Sequence, residues 1–243
     1  MWLDGIYMGS PFYAEFAATF DELDAFDDVA FQITTIEKHT RDPRTGLLYH
    51  AWDESRQQRW ANPNTGCSPH FWSRAIGWYV MAIVDVLDYF PPEHAACREF
   101  MEILERTLTA VVEMQDEATG LWWQILDQGE RPGNYLEASG TCMYVYALAK
   151  GVRNGYLDAN WLTIAARGFE GLLNHLVTID DDSRVDLHAV CSSAGLGGNP
   201  YRDGSFDYYV SEPIATNDLH GVGAFVLAAI ELERASAGNA VPG

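Results

Sequence analysis

Apolar positions fall into two kinds of helix-length run. Asp24 to Lys38 carries Phe26, Ala30, Ile33 and Ile36; Cys97 to Met114 carries Phe100, Ile103, Leu104, Leu108, Val111 and Val112. Trp161 to Leu176 repeats the pattern with Ala165, Phe169, Leu172, Leu173 and Leu176. Spacings of three and four gather these side chains on one face, so three amphipathic helices with a polar outer side are predicted. Between them lie Phe71 to Leu87, Ala138 to Val152 and Asn217 to Leu232, which are apolar nearly all round and belong inside. A further inner helix is predicted from Ser10, with Ser10 as its cap and Pro11 in its first turn.

The order of these runs is itself repeated. WYVMAI, MYVYAL and GAFVLA align within the inner helices, and DPRTGLLYHAWD, DEATGLWWQILD and DDDSRVDLHAVC align between the pairs. Thr-Gly followed by alternating large residues predicts short β-hairpins at one rim. Inner and outer helices that alternate in this way make an all-α fold, an (α/α)6 toroid or barrel, read as a single domain over residues 1–243. About seven of its twelve helices are visible, so the toroid is expected to be incomplete, with the rest upstream of Met1. An open helical array or a smaller bundle, complete as it stands, is the alternative.

Charge narrows the partners. Lys and Arg total 15 against 35 for Asp and Glu, a net charge of −20, which repels phosphate backbones and anionic lipid; no nucleic-acid or membrane partner is expected. Four cysteines with no CxxC spacing fit reduced thiols and a cytoplasmic setting. Scattered histidines offer no metal-ligand spacing, and no GxSxG elbow is present. The excess is aromatic: 13% of residues, with eight Trp, suited to a bulky core or to sugar platforms.

Candidate chemistry clusters in four places. Asp4, followed by Gly5, precedes the Ser10 helix on what reads as a rim loop, with Trp2, Tyr7 and Met8 beside it to exclude water. A carboxyl shielded in this way can serve as a general acid, although an Asx-type turn accounts for most Asp-Gly pairs. His50 alternates with Tyr49 and Ala51, and could orient that carboxyl, donate to a substrate oxygen, or bond a backbone carbonyl. Arg74, between Trp72 and Trp78 at the start of an inner helix, matches a carboxylate ligand, or else pairs with Asp4 or another acid. The glycine-rich stretch from Ser192 to Phe206 reads as a loop closing over the funnel, with Tyr209 as a wall residue.

WLDGIYMGSPF, LLYHAWDES, SPHFWSRAIGWY and YRDGSFDYYVSEP, in that order, resemble the unsaturated rhamnogalacturonyl hydrolases of glycoside hydrolase family 105. The related unsaturated glucuronyl hydrolases of family 88 come second, and a catalytically silent sugar-binding fragment is a third reading. The resemblance implies hydration of the C4=C5 double bond of a 4,5-unsaturated galacturonic acid at the non-reducing end of rhamnogalacturonan-derived oligosaccharides, with neither metal nor organic cofactor. Asp4 would be the catalytic acid, and Trp2, Met8, His50, Trp72, Arg74 and Trp78 would form the pocket. Members carry helices before the WLDG motif and a second important Asp there. The chain is therefore expected to be an N-terminally truncated member, of doubtful activity alone and able to self-associate through an open barrel.

Overall fold

The computed structural model describes residues 1–239. Seven long helices and one short one dominate: α1 (Leu3–Phe20), α2 (Asp24–Thr40), α3 (Ser73–Val86), α4 (Ala95–Val112), α5 (Ala138–Arg153), α6 (Trp161–His175), the six-residue α7 (Phe206–Ser211) and α8 (Leu219–Asn239). Two small antiparallel sheets complete the fold. β1 (Val177–Ile179) pairs with β2 (Val185–Leu187), and β3 (Val190–Cys191) with β4 (Ile214–Ala215). Among the described residues no helix is long and apolar enough to cross a membrane.

The inner helices pack in chain order, α1 on α3, α3 on α5 and α5 on α8, with α2, α4 and α6 outside them. Burial follows position in this series. On α3 only Trp78 and Asp85 escape full burial, and on α5 every residue from Ala138 to Gly151 is buried. A Cβ at Gly77 would lie 2.8 Å from the Met143 side chain, so a glycine there lets α3 and α5 approach closely. The end members differ. α1 buries one stripe, Leu3, Ile6, Ser10, Ala14 and Ala17, while Phe12 is 73% exposed and Phe20 62%. On α8, Leu219 is 84% and Val226 50% exposed. The two ends do not pack along one another among the described residues, so the chain forms part of an (α/α)6 barrel, as the alternation predicts.

The rim is built mostly from turns rather than the predicted hairpins. In DPRTG, Asp42 Oδ2 accepts from Thr45 N–H (3.2 Å) and the Asp42 carbonyl from Gly46 N–H (2.8 Å). DEATG repeats this with Asp116, Thr119 and Gly120, and NPNTG with Asn62, Thr65 and Gly66. Each glycine has φ between 73° and 80°, which a side chain would strain. After the turns, isolated bridges such as Arg41↔Leu48, Trp52↔Cys67 and Trp72↔Ile125 replace continuous strands; only the third repeat forms a hairpin, β1–β2.

One boundary departs from expectation. α1 begins at Leu3, not Ser10, and runs through Pro11. The buried stripe continues on both sides of the proline, and Leu3 N–H donates to the His50 carbonyl (3.0 Å), so tertiary packing sets the start. Asp4 therefore stands in the first turn of a helix rather than on a loop.

Candidate active site

The same backbone contact that starts α1 brings His50 to Asp4. His50 lies in the connection between α2 and α3; its carbonyl accepts from Leu3, its N–H donates to the His70 carbonyl (3.3 Å), and Ala51 bridges to Trp2. The fully buried imidazole puts Nε2 3.0 Å from Asp4 Oδ2. The distance is that of an ion contact, but the two atoms are not aligned as donor and acceptor, and neither has another hydrogen-bond partner among the described residues. Buried polar atoms in that condition are rare in folded proteins, and a catalytic role is one reason a site keeps them.

On its other side, His50 Nδ1 lies 2.6 Å from the hydroxyl of Tyr209, also fully buried. Burial, reinforced by the charge of Asp4, pushes the phenol well above its ordinary range, so it keeps its proton and donates to Nδ1. Nε2 then carries the imidazole proton, 3.0 Å from the Asp4 carboxyl oxygen. Tyr209 is held by α7, whose cap Ser205 accepts from Tyr208 N–H (3.2 Å). This helix turn falls where the sequence reads as loop, and Ser205 ahead of FDYY was its visible signal.

Trp72 ties the site to α3. Its ring stacks on Tyr209 (centroids 5.8 Å), tilts against His50 (4.9 Å), and donates through Nε1 to Gln124 Oε1 (3.1 Å). Gln124, fully buried, also donates to the Tyr209 carbonyl (3.2 Å), so one amide ties the Trp72 ring to the Tyr209 backbone. The sequence gives no hint of this role, since Gln124 sits within an apolar strand-like run.

Arg74 is 1% exposed, and its guanidinium lies 5.1 Å from the Trp72 ring. Nη1 donates to the Cys191 carbonyl (2.6 Å), and no carboxylate pairs with it among the described residues. The expected alternative, an ion pair with Asp4, does not form. The nearest compensation is indirect: Cys191 N–H donates to Oε1 of the buried Glu137 (2.9 Å), which also caps α5. Asp218 feels Arg74 more weakly; burial raises its pKa, but hydrogen bonds from His220 outweigh this and hold it below the usual carboxylate range. Tyr135, whose burial raises its phenol strongly, leaves its hydroxyl without a partner in the same region.

Of the residues singled out in the sequence, Trp2, Asp4, His50, Trp72, Arg74 and Tyr209 thus form one connected cluster, Trp2 meeting His50 edge-on at 5.4 Å. Trp78 stands one turn beyond Arg74 and tilts against Tyr7 at 4.5 Å, joining α3 to α1. Met8 stands one turn beyond Asp4 but is 61% exposed, so it does not shield the carboxyl in this structure.

Comparison with known proteins bears on the family and the fold. The sequence profile described as Glycosyl Hydrolase Family 88 matches residues 1–236. The chain is 38% identical over 230 residues to the 24.9 kDa protein in the picA locus of Rhizobium radiobacter, covering 92% of this chain and 97% of that protein. It is 32% identical over 184 residues to the unsaturated rhamnogalacturonyl hydrolase YesR of Bacillus subtilis, covering 76% of this chain and 48% of YesR. A family 105 glycoside hydrolase structure from C. acetobutylicum superposes with a TM-score of 0.94 at 49% identity, covering 96% of this chain and 65% of the other. The chain thus spans about half of YesR and under two thirds of the clostridial structure, but nearly all of the Rhizobium protein.

Proposed function

The chain belongs to glycosyl hydrolase family 88, and from that premise we propose that its site hydrates the C4=C5 double bond of a 4,5-unsaturated galacturonic acid at the non-reducing end of rhamnogalacturonan fragments. The observation that carries this reading is the pairing of Asp4 with a tautomer-fixed His50, beside a buried Arg74 that lacks an acid of its own. The name and 32% identity of YesR, and the family 105 description of the clostridial structure, support that substrate class.

In this reading Arg74 receives the uronate carboxylate, which brings the charge that the guanidinium lacks. Trp72 and Trp78 flank the sugar. Asp4 delivers its proton to C4, and positive charge develops on C5 and the ring oxygen. The resulting carboxylate takes a proton from the water that adds to C5, with His50 Nε2–H within reach to steady it. The hemiketal so formed opens and releases the rest of the oligosaccharide. No displacement occurs at the anomeric carbon, so the carboxyl spacing that sorts retaining from inverting glycosidases does not govern the outcome. Four unpaired cysteines favour a cytoplasmic setting.

A second reading is favoured by the open arc of inner helices: a binder that grips unsaturated oligosaccharides without turning them over. A lyase-generated unsaturated galacturonyl-rhamnose disaccharide separates the two. Turnover removes the ultraviolet absorbance of the alkene, whereas a binder leaves it intact and changes only tryptophan fluorescence. Asp4→Asn should lower turnover by about 10²–10⁴-fold, the usual share of a general acid; full activity in that variant defeats the assignment.

A further inference from the structure

Three buried side-chain atoms among the described residues have no hydrogen-bond partner: Asp4 Oδ2, His50 Nε2 and the hydroxyl of Tyr135. The first two form the reacting pair described above. The third plays no part in that chemistry, and nothing in the sequence marks it out. Each such atom in a folded protein calls for an explanation.

Backbone pairing sets the direction of Tyr135. Trp123 bridges to Leu136 in antiparallel fashion; Gln124 N–H donates to the Tyr135 carbonyl (2.8 Å) and Glu137 N–H to the Trp122 carbonyl (2.9 Å). Residues opposed across such a pair share a face, as do alternate residues along one strand. Tyr135 therefore stands on the face that carries Gln124 and Glu137. Gln124 reaches from that face to Trp72, and Glu137 reaches the Cys191 N–H. The Cys191 carbonyl is in turn the one that Arg74 Nη1 holds at 2.6 Å. The phenol thus enters the Arg74 end of the site, where the charges of Arg74 and Glu137 both bear on it.

The fold gives this hydroxyl nothing to bind. The Cys191 side chain lies beside it without making a hydrogen bond. Glu137 cannot turn to it, because its two oxygens already accept from Ser139 Oγ (2.8 Å), Gly140 N–H (2.7 Å) and Cys191 N–H (2.9 Å). Burial raises the phenol far above its ordinary range, so it keeps its proton and offers an O–H donor. Arg74 is in a matching condition: beyond its bond to the Cys191 carbonyl, its guanidinium makes no hydrogen bond among the described residues. Two uncommitted donors, one of them charged, suit an anion with two oxygens. A carboxylate has about four acceptor sites, enough for a guanidinium and a phenol together, and bonds to it are about twice as strong as neutral ones.

We infer that the Tyr135 hydroxyl is a second donor, beside Arg74, to the carboxylate of the bound sugar, and so a residue that selects an acidic sugar over a neutral one. The carboxylate follows from Arg74 and Tyr135 themselves; its identity as an unsaturated galacturonate rests on the hydration reading. The test compares Asp4→Asn with the double variant Asp4→Asn, Tyr135→Phe. The probe is the unsaturated galacturonyl-rhamnose disaccharide, labelled with carbon-13 at C6 of the uronate. Calorimetry should show affinity falling by about 10–10²-fold, the loss of one hydrogen bond to a charged group. Carbon NMR should show the bound C6 resonance displaced between the two proteins, since an O–H is removed while the ring stays. Unfolding by denaturant without ligand should show no loss of stability, because the hydroxyl has no partner in the fold. Affinity within about threefold, an unmoved C6 resonance or a destabilised free protein overturns the assignment, as does failure of Asp4→Asn to bind the disaccharide. If the expected results hold while the wild type leaves the alkene absorbance intact, Tyr135 keeps its role and the hydration reading falls.

Discussion

Arg74 offers the sharpest quantitative test. Its guanidinium is buried with one carbonyl bond at 2.6 Å and one aromatic face at 5.1 Å. Those contacts contribute about 1.5–3 and 0.5–2 kcal/mol respectively, against a desolvation cost of several kcal/mol for an ion out of water. A carboxylate arriving about 4 Å away in an effective dielectric near 20 gains roughly 4 kcal/mol, close to three decades in affinity. Replacing Arg74 by methionine removes the charge and fills much of the same volume, leaving only the Cys191 carbonyl short of a donor. Fold stability should therefore change by no more than about 1 kcal/mol, while affinity for an unsaturated uronate falls by about 10²–10³-fold. Chemical denaturation followed by tryptophan emission measures the first quantity. Calorimetry in an Asp4→Asn background, where turnover does not interfere, measures the second. Arg74→Lys keeps the charge without the planar fork and should fall between them. Uronate binding within about threefold of wild type in the methionine variant would refute the reasoning, because that loss is far below the roughly three decades worked out above.

Three further outcomes are expected. Tyr209→Phe strips the donor from His50 Nδ1 in a fully buried setting and should cost about 1–3 kcal/mol in denaturant unfolding, with nitrogen NMR reporting a change at Nδ1. Glu37 is held below its ordinary value of 4.5: burial opposes this, but hydrogen bonds from Arg106 and Arg41 prevail. Its depressed pKa contributes stability above the unfolded value that is lost as pH falls through the folded one. The gap between wild type and Glu37→Gln should thus be widest near neutrality and close on acidification below pH 4.5, as read by melting scans across pH. Finally, Phe12 and Phe16, 73% and 40% exposed on α1, should drive self-association. Sedimentation should show Phe12→Ser with Phe16→Ser to be more monomeric than wild type, and no difference would discard that role for the face.

The architecture was readable because inner helices differ from outer ones in composition, not just in period. ASGTCMYVYALAKGV has no polar face wide enough for solvent, and α5 is buried almost throughout. Burial of α1 and α8 was less legible. Both carry inner-helix sequences, but side chains such as Phe12 and Leu219 have no cover among the described residues, a property of neighbours and not of local pattern. Asp4, His50, Trp72 and Arg74 were visible as chemistry-bearing types in an aromatic setting. Their linkage was not, because it runs through long-range contacts. Gln124 reaches Trp72 and Tyr209, and Cys191 contributes only backbone atoms to Arg74. The Pro11 signal misled because proline marks a helix start only when packing does not demand that the helix begin earlier.

Glu137 caps α5 through Gly140 N–H (2.7 Å) and also restrains the Cys191 backbone that Arg74 grips. Heat tolerance and the anion recognition proposed for Arg74 are for that reason mechanically geared together. Drift at the cap would slacken the helix entrance and swing the cation in one movement, so a lineage could not trade one property for the other at this position.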